Sequence, residues 1–184
     1  MHATALINLE KFLATYVPPT FSGTILDVGS RDINGSLRPT VMAHAPSSRY
    51  LGVDILPGPG VDLLMADPCV IPLPASSSDL VLCSSTLEHT EFFWLLFLDM
   101  LRVLRPGGLL YCCAPSRGFY HPFPLDYWRF YPDSTEALVH WAVRSGYGLS
   151  VVSTYITIFS NPEDASIPDE WQDWVAIFKK GVAA

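Results

Sequence analysis

Short continuous apolar runs alternate along this chain with stretches of helical spacing. Leu6, Leu9, Leu13 and Tyr16 recur at the helical period and stop before Pro18-Pro19, so a first helix is predicted over 6–16. Brief apolar runs predict strands at 24–28, 50–53, 61–65, 79–83 and 109–113. Pro39 suits the first turn of a helix over 40–44. A longer helix is expected over 92–104, stopped by Pro106-Gly107-Gly108. Ser134 reads as the cap of another, running to Ser145 with Glu136 in its first turn and Gly146 past its end. Two β-type runs, 149–159 and 174–178, close the chain. The segment between them, 160–169, lacks helical periodicity and points to an antiparallel hairpin.

Strands buried on both faces and alternating with helices make an α/β fold. The expected architecture is a doubly wound, Rossmann-like, mostly parallel seven-stranded sheet in three α/β/α layers, with a closing antiparallel hairpin. The 184 residues form one domain, with a helical N-terminal segment at 1–22 and an aromatic loop at 115–132. Net charge is −7, which argues against a nucleic-acid surface. The apolar runs fall short of the ~20 residues of a membrane span. The first residues carry no signal-peptide pattern, so a cytoplasmic setting is expected. Cys69, Cys83, Cys112 and Cys113 form no C-x-x-C pair, and the strand cysteines read as core. The histidines show no ligand spacing, so no metal is expected.

Chemistry is expected where the strands end. In a doubly wound sheet, ligands bind beyond the carboxyl ends of the strands. The first strand runs into Asp27, Gly29 and a polar loop closing on Asn34-Gly35. Arg31 and Ile33 stand where a dinucleotide loop would carry further glycines. Asp54 follows the second strand, near the ~20-residue separation at which an acid meets a ribose. Asp67 follows the third strand, and Ser84 to His89 follow the fourth.

The series LDVGS, GVDI, ADP, LPLPASSSDLVLCSSTLEH and RVLRPGGLL resembles the class I S-adenosylmethionine-dependent methyltransferases. The likeness is to the small-molecule type with EH after the fourth strand, close over 25–113 and looser beyond. It implies S-adenosyl-L-methionine as cofactor. Asp27, Gly29 and Ser30 would line its methionine part, with Arg31 near the carboxylate or facing solvent. Asp54 would hold the ribose, Ile55 would pack on the adenine, and Asp67 and Pro68 would meet the adenine edge. Ser84 and Ser85 would border the sulfonium. Asp79 reads as structural, and Asp27 has strand-end capping as its alternative role.

Methyl transfer needs alignment and, for some acceptors, a base. His89 is a candidate base, with ordering of its turn or contact with the cofactor as alternatives, and His121 is a second candidate. The aromatic loop reads as acceptor pocket or lid, with Tyr120, His121, Asp126, Tyr127 and Arg129 as polar contacts. Its alternative role is packing, with Arg129 paired to Asp126 or Asp133. The 92–104 helix carries a stripe of Trp94, Phe97, Leu98, Leu101 and Leu104 and leaves Phe92, Phe93 and Leu96 over. That surplus points to a homodimer, with cover by the N-terminal helix as an equal competitor and a lipid-linked acceptor as a weaker third. The expected function is methyl transfer to a small-molecule or glycan-like acceptor. The alternatives are a non-catalytic binding protein of the same fold and, disfavoured by the absent glycines, a dinucleotide-dependent oxidoreductase.

Overall fold

A computed structural model of the chain describes residues 3–158 and 171–181. The elements in chain order are α1 (Ala3–Tyr16), β1 (Thr24–Val28), α2 (Arg38–His44), β2 (Arg49–Asp54), β3 (Leu63–Leu64), β4 (Ser78–Ser84), a 3-10 turn (Leu87–His89), α3 (Phe93–Val103), β5 (Leu104–Arg117), α4 (Pro132–Arg144), β6 (Leu149–Ile158) and β7 (Gln172–Lys180). The seven strands lie in the order β3-β2-β1-β4-β5-β7-β6. The first five are parallel, and β7 runs antiparallel to both β5 and β6. The α/β sheet and its closing hairpin are those expected; the 160–169 connection lies outside the described residues.

Alternate strand residues feed two cores. Leu26, Val28, Val81, Cys83, Leu110, Cys112, Trp174 and Ala176 meet α3 and α4 on one face. Ile25, Leu80, Leu82, Tyr111, Cys113, Val175 and Ile177 meet α1 and α2 on the other. The strand cysteines are buried and unbridged, as read from the sequence. Asp79 has its structural role: its carboxylate accepts from Thr24 N at 2.8 Å and pairs with Arg105 at 2.6 Å.

Three local readings are corrected. β3 keeps two residues of the five expected, because it pairs with β2 only at Leu63 and Leu64. Ser134 is not the cap of α4. Tyr131 is, and Ser134 sits one turn in, its hydroxyl accepting from Tyr131 N at 3.1 Å. That shift puts Asp133, not Glu136, in the first turn. The surplus face of α3 is not covered by α1, which packs on the other side of the sheet. Leu96 is buried in the core, and Phe93 meets Trp128 and Phe130 of the aromatic loop at ring distances of 5.3 and 5.0 Å. Phe92 and Leu95 remain exposed. Among the described residues, no helix is long and apolar enough to cross a membrane.

Candidate active site

The strand order reverses between β1 and β4, and a cavity of about 620 Å³ opens beyond the carboxyl ends of β1, β2 and β4. Its volume is in the range of small-molecule sites. Asp27, Gly29, Ser30, Arg31, Asp54, Ile55, Pro68, Ser84, Ser85 and His89 line it, with His121 and Tyr127 from the aromatic loop. Asp67, Tyr120, Asp126 and Arg129 are not among the lining residues. Asp67 is exposed and accepts from Cys69 N at 2.7 Å, and Tyr120 is exposed.

The loop after β1 is shaped by close backbone approach. Gly29 has φ +81°, and a Cβ there would lie 2.0 Å from Thr86 Oγ1. Its N–H donates to Val53 O at 2.9 Å, joined by that of Ser30 at 3.1 Å, so the loop is stitched to β2. Gly52 leaves room for Ser30, whose Oγ would lie 2.5 Å from any Cβ at that position. The turn expected at Asn34-Gly35 is closed by Asp32 Oδ1, which accepts from Gly35 N at 2.8 Å. Ser85, at the end of β4, holds φ +50°, a strained backbone of the kind that clusters at functional sites.

Asp54 is fixed from both sides. Oδ2 accepts from Arg31 N at 3.2 Å and Oδ1 from Leu56 N at 3.0 Å. Each oxygen retains acceptor capacity. Asp27 is buried, and Tyr50 donates its O–H to Asp27 Oδ2 at 2.5 Å. Burial pushes the Asp27 carboxyl up to about 7 against the lowering effect of that hydrogen bond.

Glu88 is the residue that sequence reasoning passed over. It is wholly buried, and neither carboxylate oxygen receives a hydrogen bond from another residue. Burial pushes it up to about 8, with Asp126 adding to the rise. The EH dipeptide contained the signal, but attention went to His89 alone. His89 Nδ1 lies 2.5 Å from Leu125 O, and burial pushes the imidazole below its ordinary value. His121 stacks edge-on against it at 5.1 Å.

The aromatic loop is tied down by its polar residues. Arg129 grips both oxygens of Asp126 at 2.5 and 2.7 Å, the first of the two pairings considered. Burial alone would raise Asp126, but hydrogen bonds from Arg129 and from His121 N–H outweigh it and hold the carboxyl at about 2. Tyr127 N and Trp128 N donate to Glu88 O at 2.8 and 3.3 Å, and Trp128 Nε1 donates to Thr90 O at 3.1 Å. The loop is thereby pinned over the 3-10 turn, with His121, Pro122, Phe123 and Tyr127 facing the cavity.

The donor set suits a nucleoside that carries an amino acid. A glycine admits close approach, Asp54 can accept from a diol, and the hydroxyls of Ser30 and Ser84 are buried without partners. Known proteins agree in kind. A family model described as "Methyltransferase domain" matches residues 26–112. An "Uncharacterized methyltransferase" of Mycobacteroides abscessus is 36% identical over 92 residues, which cover 50% of this chain and 34% of that protein. The chain spans less than half the length of the curated relatives it matches. Among solved structures, 1,6-didemethyltoxoflavin-N1-methyltransferase of Burkholderia thailandensis, with bound 1,6-didemethyltoxoflavin and S-adenosylhomocysteine, superposes with TM-score 0.67. It is 16% identical, and the match covers 96% of this chain and 78% of that one. The [4+2]-cyclase SpnF superposes with TM-score 0.62 at 14% identity, covering 96% and 81%, so the fold alone does not fix the reaction.

Proposed function

We propose that this chain, which matches a methyltransferase-domain family over residues 26–112, is a class I S-adenosylmethionine-dependent methyltransferase that binds S-adenosyl-L-methionine and moves the methyl group to a small-molecule or glycan-like acceptor. The observation that carries the reading is the meeting of Asp27–Arg31, Asp54–Ile55, Pro68 and Ser84–Ser85 around one cavity at the switch point.

When bound, the cofactor supplies a methyl group already activated on a sulfonium. The residues hold and align. Asp27 faces the ammonium of the methionine part, with Gly29 and Ser30 beside it and Arg31 near its carboxylate. Asp54 accepts from the ribose hydroxyls. Ile55 and Pro68 pack on the base. Ser84 and Ser85 border the sulfur. Tyr127 and His121 meet the acceptor, while Asp126 and Arg129 act by holding the loop. His89 and His121 are the candidates to take an acceptor proton.

Calorimetry with S-adenosylhomocysteine and with NAD tests the cofactor; preference for NAD sinks the reading. Asp54→Ala lowers S-adenosylhomocysteine affinity at least ~30-fold, equal to about 2 kcal/mol, on losing hydrogen bonds to a charged acceptor. Unchanged affinity refutes its ribose role. Binding without methyl release in cell extract would favour the non-catalytic alternative. A homodimer through exposed Phe92 and Leu95 belongs to this proposal, and an unaltered sedimentation coefficient in Phe92→Asp would remove it.

A further inference from the structure

His89 and His121 line the cavity and stand beside buried Glu88. Glu88, His89 and His121 each offer a ligand atom, and the three atoms lie within 4.8 Å of one another. Glu88 is wholly buried, and both its oxygens lack a donor from any other residue. A buried carboxyl with no donor from another residue is costly to ionise, and a cation facing it would stabilise its charged form. The nearby guanidinium of Arg129 is engaged by Asp126, Phe119 O and Trp128 O rather than by Glu88, and its Nη2 lies 3.4 Å from His121 Nδ1.

The histidines are oriented as ligands are. His89 Nδ1 lies 2.5 Å from Leu125 O, so its N–H donates there and Nε2 turns to Glu88 Oε1, 3.6 Å away. Two ligand atoms on a tetrahedral ion with bonds near 2.1 Å stand roughly 3.4 Å apart, so this pair is already close to that span. His121 Nδ1 lies 3.1 Å from Asp126 Oδ2. Backbone carbonyls and carboxylates steer metal-bound imidazoles in the same way. His121 sits on a partly exposed loop, where a shift of at most about 1.4 Å would bring atoms 4.8 Å apart to that span.

We propose that Glu88, His89 and His121 bind a divalent transition-metal cation on the acceptor side of the cavity. Two imidazoles and one carboxylate suit zinc, cobalt or iron better than magnesium, which prefers oxygen ligands. Three protein ligands leave positions open toward the cavity that His89 and His121 line. An acceptor oxygen would occupy one of them. That last clause rests on the methyl-transfer reading, whereas the cation site does not.

The test uses the full chain, freed of metal by chelation. Titration with Zn²⁺ by calorimetry should show one site, and Co²⁺ should give d–d absorption without a thiolate charge-transfer band. Glu88→Gln and His121→Ala should each weaken Zn²⁺ binding at least tenfold. Glu88→Gln alters a core position, so His121→Ala on the loop is the decisive variant. Cys69→Ser, at the least buried thiol, should leave Zn²⁺ affinity unchanged. No Zn²⁺ or Co²⁺ binding by the wild type, wild-type affinity in His121→Ala, or loss in Cys69→Ser overturns the site. S-adenosylhomocysteine is titrated separately. If it fails to bind while His121-dependent Zn²⁺ binding persists, the metal site stands and the methyl-transfer reading falls.

Discussion

Asp27 shows how burial sets a residue's chemistry. Its carboxyl, pushed up to about 7, has Tyr50, Arg38 and Asp54 as its electrostatic neighbours. As pH rises through that value the proton leaves, and the carboxylate becomes able to attract an ammonium. On the proposed role, S-adenosylhomocysteine should bind about tenfold more tightly at pH ~8 than at pH ~6, following the ionised fraction. Asp27→Asn should remove that dependence; a wild-type slope in the variant would refute the role. The folded chain holds this proton more tightly than the unfolded one. The resulting stability is therefore fully present below the ordinary carboxylate range and lost as pH rises through about 7. Gly29 is constrained differently. Gly29→Ala places a Cβ against Thr86 at positive φ and should cost at least about 2 kcal/mol, visible as a Tm lower by roughly 4–8 °C.

At the scale of elements, the aromatic loop and α3 depend on each other. Phe130 is buried between Phe93 and Trp174, at ring distances of 5.0 and 5.1 Å. Phe130→Ala should destabilise the fold by about 3–5 kcal/mol in urea titration. A loss below about 1 kcal/mol would mean that the loop packs independently of the core. This dependence was hidden in the sequence. The apolar surplus of the 92–104 segment was legible, but its cover was not, because a loop of prolines and aromatics has no period from which to read its path. The helices and strands themselves were legible, since burial on one face or on both leaves a pattern of its own. Ser134 was misplaced by nearly a turn for a related reason: a hydroxyl caps equally well as the N-cap or from the N3 position of a capping box.

For the whole molecule, the last strand locks the sheet to its helices. Lys180 Nζ donates to Leu101 O and Leu104 O at 2.7 and 2.6 Å, satisfying carbonyls at the end of α3. Burial pushes this ammonium below its ordinary value. Lys180→Met should cost about 1–3 kcal/mol in thermal or urea unfolding, because the two carbonyls lose their donor. An unchanged midpoint would show that water replaces it.

The sequence by itself determined the α/β alternation, the position of the cavity-lining loop after β1 and the order of acids after successive strands. Each of these is local or follows from strand ends collecting on one edge of a parallel sheet. Only the tertiary structure decided which groups meet across long separations. His121 is 32 residues beyond His89 and shares no spacing with it, yet the pinned loop brings it beside Glu88. The expectation of no metal was drawn from spacing along the chain. The proposed cation site, assembled from a turn and a distant loop, leaves no such spacing to read, because its geometry is set by packing.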